Sequence, residues 1–196
     1  MLTFVGIDVG YINMGVVRMV VDDSFDFVFD EAFRYNISIP KHTKVHVCDC
    51  TIPHTTETVD RVAHFIQENR EMFEEADCIL VERQPPMGLK DIEALLMHAF
   101  RHKVKLLSPN RLHKHFRISH KDYEERKDAV VEIAGQHLSH LRGFFNQVRQ
   151  HDMADAACMC IYHLTKIKEE RRKKERLENI RRLPFDEYAF IPQGQI

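Results

Sequence analysis

The chain has no tryptophan, and only seven glycines and seven prolines in 196 residues. That excludes a collagen-like or low-complexity polymer. Three of the glycines fall within the first 15 residues and none cluster afterwards, so only one Gly-punctuated turn is available. No apolar run reaches the ~18 residues of a membrane-spanning helix. The five cysteines are an odd number in a chain of ordinary size, and they lie within or beside apolar runs. A disulfide-stapled secreted domain is thereby disfavoured, and an intracellular, reducing setting is expected. The pairs Cys48/Cys50 and Cys158/Cys160 lack the C-x2-C spacing of a zinc site. Met1-Leu2 runs straight into a strand pattern, with no leader signal to read. Net charge is −2, so no global field draws the chain onto a polyanion, and any basic surface must be local. An apolar fraction of 44% and this length suit one well-filled domain with room for a small appendage.

The stretch Phe4 to Val17 reads as a strand, a turn with Gly10, and a second strand. Asp8 falls mid-strand, where a carboxylate is disfavoured unless it is paired or holds a metal. The ordinary alternative is an Asx turn. Strands are expected at Leu2–Val9, Met14–Val21 and Phe25–Phe29, followed by an irregular excursion over 30–44 and a further strand at Lys44–Cys50. The period then becomes helical. Thr58–Glu75 forms one helix, Cys78–Val81 a strand covered on both faces, Asp91–His102 a helix, and Val104–Leu107 a strand. Residues 109–121 read as a basic loop, Tyr123–Leu141 as a helix and Gly143–Gln150 as a connector. A long helix runs from His151 towards Arg182. A meander followed by β-α-β alternation argues for an α/β fold, a mixed sheet with helices on its faces.

Acids stand out of character at three places. Asp8 is in a strand. Glu82 ends an apolar strand, where sites form in open α/β sheets. Asp152 and Asp155 share one face at the start of an apolar helix, and the small residues Ala154, Ala156 and Ala157 let that helix approach the sheet closely. Each has an ordinary explanation alone: a helix N-cap for Asp152, a surface pair with Arg83 for Glu82. Together, four carboxylates without partnering bases would repel strongly, and a hard divalent cation such as Mg²⁺ resolves that. Two ions about 4 Å apart can clamp both oxygens of a phosphodiester displacement.

Gly6-Ile7-Asp8-Val9-Gly10 with Asn13-Met14-Gly15, Val81-Glu82-Arg83-Gln84-Pro85-Pro86, Lys127-Asp128-Ala129 and His151-Asp152-Met153-Ala154-Asp155-Ala156 resemble the RuvC-like Holliday junction resolvases. The branch found in poxviruses and other large DNA viruses matches best, and the resemblance covers residues 2–165. It implies an RNase H-like mixed five-stranded sheet, three antiparallel strands and then parallel ones. It implies a homodimer that nicks four-way DNA junctions symmetrically, leaving 5′-phosphate ends, with two Mg²⁺ ions per site for which Mn²⁺ can substitute. The metal ligands it implies are Asp8, Glu82, Asp152 and Asp155. Lys127 matches a basic position that steadies transition-state charge, and His151 could orient a water or a ligand. Branched or concatemeric viral DNA, in the cytoplasm or nucleus of an infected cell, is the implied setting.

Gly10 and Gly15 are expected to let a phosphodiester approach Asp8. Phosphate contacts are expected from Arg83, Lys90, Arg111, Lys114, Arg117 and Lys121, and from 166–182, which carries nine Lys/Arg against four Glu. The domains expected are 1–165 for the resolvase core and 166–196 for a basic helical extension and tail. The apolar helix faces at 59–73 and 92–100 are candidates for a dimer interface, unless core packing uses them. The D-x-G-x-x-N opening also suits actin-like and sugar-kinase ATPases, which need a second Gly-rich turn that is lacking here. A nuclease for RNA–DNA hybrids is a further alternative.

Overall fold

A computed structural model describes residues 1–37, 57–145 and 149–182. The chain divides into two units, Met1–Tyr162 and His163–Ile196. In the first, β1 (Leu2–Val9), β2 (Asn13–Val21) and β3 (Phe27–Asn36) form an antiparallel meander. Helices α1 (Thr58–Glu68) and α2 (Arg70–Glu75) lead to β4 (Cys78–Glu82). Then α3 (Lys90–Ala99) leads to β5 (Val104–Leu107). The two crossovers lay β4 parallel to β1 and β5 parallel to β4, giving sheet order β3-β2-β1-β4-β5. Helices α4 (Pro109–His115), α5 (Tyr123–Leu138), α6 (Arg142–Phe145) and the start of α7 (Gln150–Arg182) complete the unit. Among the described residues, no helix is long and apolar enough to cross a membrane.

The two-residue period of the strands sorts their side chains by face. Val5, Ile7, Ile79 and Val81 join Val62, Phe65, Phe73, Ile92 and Leu96 in one core cluster under α1–α3. The helix faces at 59–73 and 92–100 therefore serve core packing. Gly6 turns the other way, onto α7. A Cβ there would overlap the Ala156 carbonyl oxygen and stand 2.9 Å from Cys160 Sγ.

Several boundaries differ from the sequence expectation. Phe25 belongs to the β2–β3 turn, with φ 65° and its N–H donated to Asp22 O at 3.0 Å. Strand β3 instead runs on through 30–36, which had read as irregular. A bulge opposite Arg18/Met19 explains this. Before it, Phe27 stacks on His137 of α5; after it, Phe33 and Tyr35 meet Phe65 of α1. One inserted residue flips the face and scrambles the alternation. The expected single helix 58–75 breaks at Asn69, whose side-chain amide donates to Phe65 O at 2.9 Å and competes with the helical ladder. Ser108-Pro109 opens a helix rather than ending in a loop, because proline is suited to the first helical position. The 143–150 connector contains part of α6, and Gln150 already belongs to α7. The strand expected at Lys44–Cys50 lies outside the described residues.

Candidate active site

Parallel pairing in the register Ile7↔Val81 brings the next residues, Asp8 and Glu82, to the same end of neighbouring strands. Asp8 is the penultimate residue of β1 rather than mid-strand, so it shares the strand-end position of Glu82. Both strand ends meet the first turns of α7, which carry Asp152 and Asp155. The close approach of α7 is built into the sheet. A Cβ on Gly15, the β2 partner of Asp8, would overlap the Asp152 backbone carbonyl. Gly15 therefore admits the helix, not a phosphodiester. Gly10 serves the turn, donating its N–H to Asn13 O at 3.0 Å.

The four carboxylates line one cleft of about 460 Å³. Burial raises the Asp8 carboxyl well above the ordinary carboxylate range; the Asp155 charge and a hydrogen bond to Glu82 add to it. Asp155 is pushed up to about 7 by burial and by the Glu82 and Asp152 charges, against the pull of Lys127. Asp152 is only 6% exposed, and its Oδ2 is buried without a hydrogen bond. The Arg149 guanidinium faces that oxygen at 3.5 Å, an ion-pair distance. His151 Nε2 lies 3.1 Å from Asp152 Oδ1, 3.3 Å from Arg149 Nη2 and 3.5 Å from Lys127 Nζ. Burial lowers the His151 pKa; Asp152 opposes this, and Lys127 and Arg149 reinforce it.

Cations share the cleft with the acids. Lys127 lines the cleft, its Nζ 4.3 Å from the centroid of the Tyr123 ring. Arg126, Arg149 and His113 line it too, and burial with the Arg126 charge lowers the His113 pKa against the opposing Glu82. Arg126 and Arg149 carried no sequence signal beyond sitting next to Lys127 and three residues before Asp152. Asn13, buried at the cleft, belongs to the opening motif but had no assigned role.

The six expected phosphate contacts sit elsewhere. Arg83, Arg111, Lys114 and Arg117 are exposed, Lys121 is half-buried, and none of them lines the cleft. Lys90 is committed to Glu93, 2.9 Å away. The same Glu93 accepts the Gln84 N–H at 2.8 Å, and the buried Gln84 side chain donates to Val9 O at 3.2 Å. Gln84 therefore ties the Glu82 loop to the end of the Asp8 strand. In the second unit, Lys166–Glu169 and Arg171–Glu175 pairs offset part of the positive charge along α7. Among the described residues, no three His, Cys, Asp or Glu side chains converge closely enough to hold a metal ion as they stand. Cys78, Cys158 and Cys160 are buried free thiols, and Cys48 and Cys50 lie outside the described residues.

Neither a protein-family profile nor a curated protein sequence matches the chain. Solved structures do. Fowlpox virus resolvase bound to Holliday junction DNA superposes with a TM-score of 0.59 at 13% identity, over 85% of this chain and 99% of that one. Thermus thermophilus RuvC gives 0.57 at 16%, over 86% and 97%. The yeast mitochondrial Holliday junction resolvase gives 0.61 at 18%, over 89% and 85%. The chain has the Holliday junction resolvase fold. The expected RNase H-like sheet, three antiparallel strands and then two parallel ones, is thus correct. At such identities only short motifs reveal the resolvase fold in the sequence.

Proposed function

We propose that the protein is a divalent-metal-dependent endonuclease that nicks four-way DNA junctions. The observation that carries this reading is the carboxylate floor. Asp8, Glu82, Asp152 and Asp155 come from two strand ends and one helix and line one cleft; Asp8 and Asp155 are raised in pKa, and Asp152 Oδ2 is buried without a hydrogen bond. The donor chemistry fits: all are hard oxygen ligands, and Asp152 Oδ2, buried without a hydrogen bond, is suited to a cation. Asp8, Glu82, Asp152 and Asp155 would hold Mg²⁺, two ions in all, with Mn²⁺ able to replace them. Bound there, the ions supply Lewis acidity and a water of lowered pKa.

The chain's own groups do the rest. Lys127 faces the acids and stabilises negative charge on a phosphate seated in the cleft. His151 orients Asp152 and links it to Lys127 and Arg149. Arg126 and Arg149 hold the phosphate backbone against the acidic floor. Two paired nicks need two sites, hence a homodimer on the junction, with 5′-phosphate and 3′-hydroxyl ends. The exposed Arg83, Arg111, Lys114 and Arg117, with the half-buried Lys121, contact the outlying arms.

Junction, linear duplex and RNA–DNA hybrid are compared as substrates in one nicking assay, with Mg²⁺ and with EDTA. The expected outcome is junction cleavage that requires the metal and falls steeply with salt. Preference for the hybrid, or cleavage in EDTA, would sink the proposal.

A further inference from the structure

Two exposed tyrosines stand at the mouth of the cleft, and nothing in the chemistry above uses their rings. Tyr11 is 69% exposed, next to Ile12 at 50%, and Tyr123 is 60% exposed; all three line the cleft. An exposed aromatic ring is ordinarily free to rotate and gains nothing from its position. Tyr11 is held: its hydroxyl donates to the Met87 carbonyl at 3.0 Å, from the β1–β2 turn across to the loop that follows β4. Tyr11 lines the same cleft as Asp8 and the other acids. Tyr123 is fixed from the other side, at the start of α5, by the Lys127 ammonium at its ring.

The surroundings define what these rings meet. The floor is acidic and the wall carries Arg126, Lys127 and Arg149, so a phosphate backbone is the ligand complementary to the interior. The rim is apolar and aromatic. The apolar part of a nucleic acid is the face of its bases, and those faces are available only where a base is unpaired or unstacked. A fully stacked duplex presents sugar and phosphate to such a rim. Branch points, where stacking is interrupted, present bases.

We propose that Tyr11, with Tyr123, forms a stacking platform for an unpaired nucleobase beside the phosphate to be cut, and that this platform selects branched over linear DNA. The proposal rests on the nuclease reading of the same cleft. Ring and hydroxyl have separate tasks. The ring contacts the base, and the hydroxyl only holds the ring in place.

The test measures binding of four-way junctions and linear duplexes in Ca²⁺, with 2-aminopurine at the branch point as a reporter of unstacking. Wild-type protein, Tyr11→Leu and Tyr11→Phe are compared. Wild type is expected to brighten the reporter. Tyr11→Leu keeps an apolar side chain but loses the ring, and is expected to bind junctions roughly 5- to 150-fold more weakly, the range for loss of one base–aromatic stack. It is also expected to lose most of the fluorescence change. Tyr11→Phe keeps the ring and is expected to fall between the two. Because Tyr11 is exposed, unchanged thermal unfolding is expected for both variants. If wild type prefers junctions and Tyr11→Leu keeps both that preference and the fluorescence change, the platform is wrong while the nuclease reading stands. Equal weakening by Tyr11→Leu on junction and duplex overturns it as well. If wild type shows no junction preference, the nuclease reading itself fails.

Discussion

Asp8 and Glu82 are placed by hydrogen-bonded strands in fixed register, whereas Arg126, Lys127 and Arg149 are placed by the ends of two helices. The floor side chains are short, and the helix that carries Asp152 and Asp155 touches the sheet backbone at Gly6 and Gly15. The wall side chains are long and partly accessible. A set of like charges that must converge needs rigid support, because repulsion would otherwise spread it. Cations that follow a polyanion can tolerate, and gain from, adjustable stems. The contrast also separates the cleft cations from the basic residues outside it, which lie on exposed helix and loop surface.

Metal-dependent nicking by Asp8→Asn and Asp155→Asn tests the floor most severely. Each is expected to lose about 100-fold or more, since the proposed site would lose a ligand rather than a residue behind one. Near-normal cleavage by either variant would break the contrast at its strongest point. The wall comes next. Arg126→Gln, Lys127→Gln and Arg149→Gln are expected to lower kcat/KM on junctions by about 10- to 100-fold. Lys127→Gln should act mainly on kcat and the two arginine variants mainly on KM; steady-state kinetics on a synthetic junction separates them.

Support of the floor is tested by Gly15→Ala. Its methyl group must displace the Asp152 backbone, so a loss of about 1–3 kcal/mol is expected in urea unfolding. An unchanged midpoint would show that α7 can move off the sheet freely.

Acidity gives a subtler test. Asp155 titrates at about 7 in the folded chain, against an ordinary value of 3.8. The folded state therefore holds an extra proton between those values, and the metal-free protein loses stability as pH rises from about 4 to 7. Asp8, also raised, acts in the same direction. Asp155→Asn should flatten this slope and stabilise the metal-free fold by about 1–2 kcal/mol at pH 8, read from thermal unfolding at several pH values. The smallest effect is expected outside the cleft. Arg111→Gln and Lys114→Gln should each weaken junction binding by about threefold or less, and lower the salt slope by about one. A loss as large as that of the cleft cations would erase the distinction between them.

The acids were legible because each looked out of place locally: Asp8 read as mid-strand, Glu82 at the end of an apolar strand, and two on the small-residue face of an apolar helix. The cations were not, because Arg126 and Arg149 occupy positions where basic residues are unremarkable, and Arg111 and Lys114 look the same in sequence yet lie outside the cleft. The bulge in β3 hid for a related reason. A one-residue insertion appears in sequence as lost alternation, which also describes a loop. The glycines misled in the opposite sense. Gly15 signalled a close approach, and only the packing showed that a helix makes it.

By itself, then, the sequence determined the order of the five described strands and of the longer helices, and it singled out the four carboxylates and the small-residue face, because periodicity and local chemical cost are properties of neighbours along the chain. Tertiary structure decided that Asp8 and Glu82 stand side by side, that α7 rests on Gly6 and Gly15, and which cations face the acids. Those depend on strand register and helix approach, which are set by contacts between residues as much as 75 positions or more apart.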